Sequence, residues 1–97
     1  MKPSDAFNIN RDKIKEILKE FPTISNVRVI GSVARGEDTD ESDIDFIFDH
    51  TPETSLFVIG RLQQKLELIL KVPVHITSSY GLKQYFKNII KKEAINI

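Results

Sequence analysis

Asp43 and Asp45 flank one isoleucine in a stretch, Ile44 to Phe48, that is β-branched and aromatic with alternating polarity, and such a stretch reads as a strand. Alternation points Ile44, Phe46 and Phe48 one way and Asp43, Asp45 and Ile47 the other. Both carboxylates then share a face, about 7 Å apart along the chain. Two unpaired anions so placed repel and raise each other's pKa, whereas a divalent cation between them removes the conflict. Mg²⁺ suits the pair, because it takes hard oxygen ligands and completes its octahedron with waters and substrate phosphates. The plain alternative for a D-x-D pair is an exposed acidic face on an edge strand.

Twelve residues earlier lies Gly31-Ser32. It follows Val27-Arg28-Val29-Ile30, a short strand, and precedes Val33-Ala34-Arg35, a turn or short helix. A strand breaking into a helix start exposes backbone N–H groups that stabilise an anion. Gly31 permits close approach of a phosphate, the Ser32 hydroxyl can donate to it, and Arg35 can supply charge one turn later. An Arg35–Glu37 tether is an equal reading of that arginine, and an ordinary turn is the plain reading of Gly-Ser.

Charge and composition bound the rest. The 97 residues hold 14 Lys+Arg, 14 Asp+Glu and no Cys, which excludes a disulfide scaffold, a thiolate metal site and a cysteine nucleophile. A net charge of zero argues against a dedicated nucleic-acid binder, so no direct nucleic-acid binding is expected. Acids concentrate from Glu37 to Glu53, which holds eight and no Lys or Arg. From Leu82 to Ile97 four lysines stand against the single acid Glu93. The acidic cluster could hold a cation, and the basic segment reads as a solvated helix face or a surface for an acidic partner or RNA. Met1 to Asp5 lack a signal peptide's apolar region, and no run approaches the roughly 18 apolar residues of a membrane span, so a cytoplasmic protein without membrane contact is expected.

The elements needed to position these residues follow from periodicity. Ile14, Ile17, Leu18 and Phe21 give a helix from about Asn10 to Glu20 that Pro22 stops. Thr51 to Thr54 offers a second helix start, with Leu56, Ile59, Leu62, Leu66 and Ile69 at helical spacing toward Leu70. Val72 to Ile76 reads as a strand opened by Pro73, and Ser79 as the cap of a last helix with Leu82, Tyr85, Phe86, Ile89 and Ile90 on one face. Tyr80, Tyr85, Phe57 and Phe86 are expected to be core or partner contacts, Ser42 a loop serine, and His50 exposed and inert. With no linker or repeat, residues 1–97 form one domain, an α/β layer fold of three or four strands covered by helices. A domain this small buries only about 60 to 65% of its unfolded surface, which makes a partner plausible.

Taken together, Gly31-Ser32, ten intervening residues and Asp43-Ile44-Asp45 resemble the signature of the DNA polymerase β-like nucleotidyltransferase superfamily. The string GSVARGEDTDESDIDFIFD, Gly31 to Asp49, is similar to the minimal nucleotidyltransferases, or MNT domains, which act as antitoxins in HEPN/MNT pairs. The element order and the segment from Tyr80-Gly81-Leu82 to Ile95 extend the resemblance over nearly the whole chain. It implies the small nucleotidyltransferase fold with a mixed sheet, and transfer of AMP from ATP to a hydroxyl with release of pyrophosphate. Gly31 and Ser32 would bind the β- and γ-phosphates, with Arg35 beside them. Asp43 and Asp45 would hold Mg²⁺ as catalytic carboxylates. In the antitoxin branch the acceptor is a tyrosine of a HEPN ribonuclease toxin, which implies a hetero-oligomer. One departure stands out. The family commonly has a third carboxylate on the next strand, where this chain has His75 in Val74-His75-Ile76. A neutral imidazole can accept the proton of an attacking hydroxyl, but it adds no negative charge and is a poor Mg²⁺ ligand. His75 thus replaces the base, or marks a weakened copy that neutralises its partner by binding alone. A third reading, modification of a small molecule, would need a second subunit to build the acceptor pocket.

Overall fold

A computed structural model describes residues 1–97. Five helices and four strands follow in the order α1 (Pro3–Ile9), α2 (Arg11–Leu18), β1 (Ile24–Ile30), α3 (Gly31–Arg35), β2 (Ile44–His50), α4 (Leu56–Leu70), β3 (Val74–Ser78), α5 (Gln84–Glu93) and β4 (Ile95–Asn96). The strands form one mixed sheet in the order β3-β2-β1-β4. β1 runs antiparallel to β2 and β4, and β2 runs parallel to β3 through the crossover helix α4. No helix is long and apolar enough to cross a membrane.

The two faces of the sheet differ in chemistry. Val27, Val29, Ile44, Phe46, Phe48 and Val74 are buried in one core with Phe7, Ile14 and Ile17 of α1 and α2 and Leu62, Leu66 and Leu70 of α4. Burying each large side chain there contributes about 2 kcal/mol. The opposite face carries the alternate residues Arg28 and Ile30 of β1, Asp45, Ile47 and Asp49 of β2, and His75 and Thr77 of β3. Only α5 lies on it. With so little apolar surface to pack on, α5 buries Ile90 alone and leaves Tyr85, Phe86 and Ile89 exposed. Of the two places expected for Tyr80, Tyr85, Phe57 and Phe86, core or partner contact, the core is corrected, because all four are exposed.

Several boundaries shift for local reasons. β1 starts three residues earlier than expected, because a bulge between Ser25 and Arg28, with Asn26 at φ 50°, puts Ile24 and Val27 on one face at a spacing of three. Thr51 to Thr54 form a turn, and α4 is capped instead by Ser55, whose hydroxyl accepts from the Val58 N–H at 3.2 Å. Pro73 stands just before β3, which runs to Ser78. Ser79 does not cap α5: its hydroxyl donates to Asp49, and the helix begins five residues later after Lys83. Asp49 also accepts from Asn26 and Arg28, each at 2.9 Å. His50 is held rather than free, with Nε2 2.9 Å from the Ser78 hydroxyl and Nδ1 2.9 Å from the Thr51 carbonyl. The Ser42 hydroxyl accepts from the Thr39 N–H, as a loop serine does.

Helix α1 and strand β4 went unforeseen in the sequence. α1 lacks a side-chain cap of its own, and Asp38, 34 residues away and only 7% exposed, accepts from the Ser4 N–H at 2.8 Å. Burial pushes the Asp38 carboxyl up, but hydrogen bonds from Ser4 outweigh it and hold the group below its ordinary value of 3.8. Asp38→Ala should therefore lower stability by about 1 to 2 kcal/mol in urea unfolding at neutral pH. Because the folded value is depressed, the ionised carboxylate's contribution is complete above the unfolded value and disappears as pH falls through the folded one. The gap between wild type and variant should narrow over that acid range.

Candidate functional site

The topology gathers one end of each strand. β1 ends where β2 begins, β3 starts beside β2 in parallel, and β4 starts beside the end of β1. Asp45 is consequently flanked by Ile30 on β1 and His75 on β3, with Gly31 following Ile30 directly.

Gly31 lies at φ +76° and opens α3. A Cβ there would stand 2.5 Å from Asp45 Oδ2, inside any allowed contact. The missing side chain is therefore a double requirement, set by backbone conformation and by the carboxylate beside it. Ser32 follows on the same turn, half-buried. Arg35 closes α3 just before Gly36, whose φ of +73° ends the helix in the left-handed region.

Asp43 and Asp45 reach the same face of the sheet, as alternation requires. Burial pushes the Asp45 carboxyl above its ordinary value; His75 opposes the rise and Asp43 adds to it. A carboxyl so placed gains from a nearby cation. His75 Nε2 lies 2.8 Å from Asp43 Oδ2. One Asp43 oxygen thus faces the imidazole, and the hard oxygens of the pair remain a donor set suited to a Mg²⁺ ion that takes its other ligands from water and phosphate. No group of three or more His, Cys, Asp or Glu side chains in the chain is placed to cage a metal, so Asp43 and Asp45 offer a two-carboxylate set and the acidic run from Glu37 to Glu53 is not a cation site as a whole. Asp38 and Asp49 within it are spent on structural hydrogen bonds.

Arg35 is tethered twice. Its Nε donates to Glu37 at 3.1 Å, the tether legible in the sequence, and its Nη1 donates to Glu93 at 3.0 Å. Sequence reasoning missed Glu93 as a site residue. Its other oxygen accepts from the Gly31 N–H at 3.3 Å, so it bridges the two groups expected to meet an anion. Its isolation among Lys83, Lys87, Lys91 and Lys92 was the available signal. Gly31, Arg35 and Glu93 line a cleft of about 360 Å³ between the sheet and α5 together with Ile47, Leu82 and Phe86, whereas Ser32, Asp43, Asp45 and His75 do not line it.

Comparison with known proteins places the chain in a family. The profile of the family described as nucleotidyltransferase domain matches residues 11–97. A Methanocaldococcus jannaschii protein, MJ0126, classed by name among candidate protein adenylyltransferases, is 31% identical over 86 residues, covering 88% of each chain. A solved structure described as a candidate minimal nucleotidyltransferase superposes with a TM-score of 0.80 at 32% identity, over 94% of this chain and 95% of that one. The same fold occurs, at a TM-score of 0.68 and 18% identity over 92% of this chain and 69% of the other, in the solved complex of a tri-AMPylated Shewanella oneidensis HEPN toxin with an MNT antitoxin.

The contact of Gly31 with Asp45 can be separated from backbone strain. Gly36 has a similar φ but open space where a methyl group would stand, so Gly36→Ala carries the strain alone, about 1 kcal/mol. Gly31→Ala should cost about 2 to 3 kcal/mol by chemical denaturation. The excess should vanish when Asp45→Ala is combined with it, as a double-mutant cycle would show.

Proposed function

Because the chain belongs to the nucleotidyltransferase domain family, we propose that it transfers AMP from ATP to a tyrosine hydroxyl of a partner HEPN-family toxin and thereby silences it. The chain is a nucleotidyltransferase with the minimal nucleotidyltransferase fold. The observation that carries the finer reading is the convergence of the Gly31 turn, Asp43, Asp45 and His75 at one end of the sheet. The solved complex of this fold with an AMPylated HEPN toxin supports the acceptor class.

On this reading Asp43 and Asp45 would hold Mg²⁺, which supplies positive charge against the triphosphate. Gly31, Ser32 and Arg35 bind the phosphates through an amide, a hydroxyl and a guanidinium. The acceptor oxygen attacks the α-phosphorus, its bond to that phosphorus forms, and the bond to the pyrophosphate oxygen breaks. His75 serves as the base on this reading: with Nε2 against Asp43, Nδ1 is the ring nitrogen left to take the hydroxyl's proton. Residues 1–97 act as one domain in the cytoplasm, and the partner contributes the acceptor in a hetero-oligomer.

A second reading rests on the same contact. His75 engages an oxygen of Asp43 and supplies no third negative charge, which suits an antitoxin that has lost turnover and works by binding.

Label transfer from ATP carrying a radioactive α-phosphate, with Mg²⁺, into host-lysate proteins separates the two. A labelled band with wild type that falls at least ~100-fold in both Asp43→Asn and Asp45→Asn is the expected outcome. Undiminished labelling in either variant would sink the catalytic reading. Labelling seen only with His75→Asp would instead establish the binding-only one.

A further inference from the structure

We infer that Glu93 is a built-in carboxylate gate: it occupies, on the Gly31 N–H and Arg35, positions that a nucleotide phosphate would take, so that a nucleotide binds only by displacing it. The inference rests on the reading of Gly31, Ser32 and Arg35 as the phosphate-binding group.

The chemistry of the contact is that of an anion in a receptor. Both Glu93 oxygens are engaged, one by a backbone amide at 3.3 Å and one by a guanidinium at 3.0 Å. The side chain is only 16% exposed, though it belongs to a helix with one buried residue. A phosphate presents the same oxygens to the same two donors, and it cannot share them with a carboxylate without like-charge repulsion at close range.

Displacement is mechanically accessible. The Gly31–Glu93 hydrogen bond is long, hence weak and readily exchanged. Arg35 keeps Glu37 as a partner when Glu93 leaves, so the guanidinium is not orphaned. The backbone beyond Glu93 is pinned, because Ile95 pairs with Val29 and Arg11 donates to the Asn96 carbonyl. Before it, α5 is held through Ile90 and can yield. Swinging the carboxylate or lifting the end of α5 therefore opens the site without breaking the sheet. Glu37 provides an internal comparison: it pairs with Arg35 from the other side and makes no contact with the Gly31 amide.

Calorimetric titration with α,β-methylene ATP and Mg²⁺ tests the gate directly on the full chain. Glu93→Gln removes the charge while keeping the size, and should tighten binding about tenfold. Glu93→Ala should do the same if the amide side chain perturbs α5. Glu37→Gln should shift affinity less than about twofold. In label transfer the gain should appear as a lower KM for ATP with kcat changed less than about twofold. Binding by wild type that is equal or weaker in both Glu93 variants overturns the gate and leaves the nucleotidyltransfer reading intact. Absence of binding in wild type and in both Glu93 variants overturns that reading and the gate with it.

Discussion

The site depends on one steric condition: no side chain fits between the backbone at Gly31 and the carboxylate of Asp45. The 2.5 Å that a Cβ would leave to Asp45 Oδ2 sets how tightly the turn after β1 can fold back over the start of β2. That closeness places an amide-bearing turn and a partly buried carboxylate side by side, two groups of opposite preference for a charged ligand. A polyphosphate carrying a divalent cation satisfies both at once, since its anionic end suits the turn and its cation suits the carboxylates. Any larger residue at position 31 would have to push that carboxylate aside.

The eight acids between Glu37 and Glu53 look alike in composition and differ in work. Asp38 reaches across to Ser4 and joins the loop after α3 to the first helix. Asp49 gathers Asn26, Arg28 and Ser79, bracing the bulge of β1 and the turn before α5; hydrogen bonds from these partners outweigh burial and keep it below its ordinary value. Asp43 and Asp45 alone face each other with His75 at one sheet end. Clusters of charge in a sequence therefore resolve only when each group's partners are known, because hydrogen bonding decides whether a carboxylate is satisfied or available.

Much of this was legible in the sequence. Alternation in Ile44 to Phe48 reported the strand and the shared face of its aspartates, and the resemblance of Gly31-Ser32 with Asp43-Ile44-Asp45 to the nucleotidyltransferase signature implied that the two segments serve one site. What escaped was nonlocal. The cap of α1 lies 34 residues away in Asp38, and β4 is two residues whose only reason to be a strand is the exposed edge of β1. The bulge at Asn26 broke the period of two that marks a strand, which hid the first half of β1. The apolar stripe of α5 left core and partner contact open for its aromatics, because helical periodicity records the helix and not the surface it meets, here a face bearing Arg28, Asp45, Asp49 and His75. Glu93 escaped for the same reason: its partners lie 58 and 62 residues back.

The polarity of that second sheet face has a consequence for how stability is distributed. β1 and β2 share the apolar core with four helices, α1 to α4, and their amides open only when much of the molecule does. α5 shares almost none of it. Local opening free energies therefore differ steeply between neighbours, with the most persistent hydrogen bonds in the central strands and the least persistent in the helix above them. The protein thus divides into a stiff floor and a soft roof over one cleft, and the roof can fluctuate, or be remodelled by whatever contacts its exposed aromatics, while the spacing of the groups on the floor stays fixed.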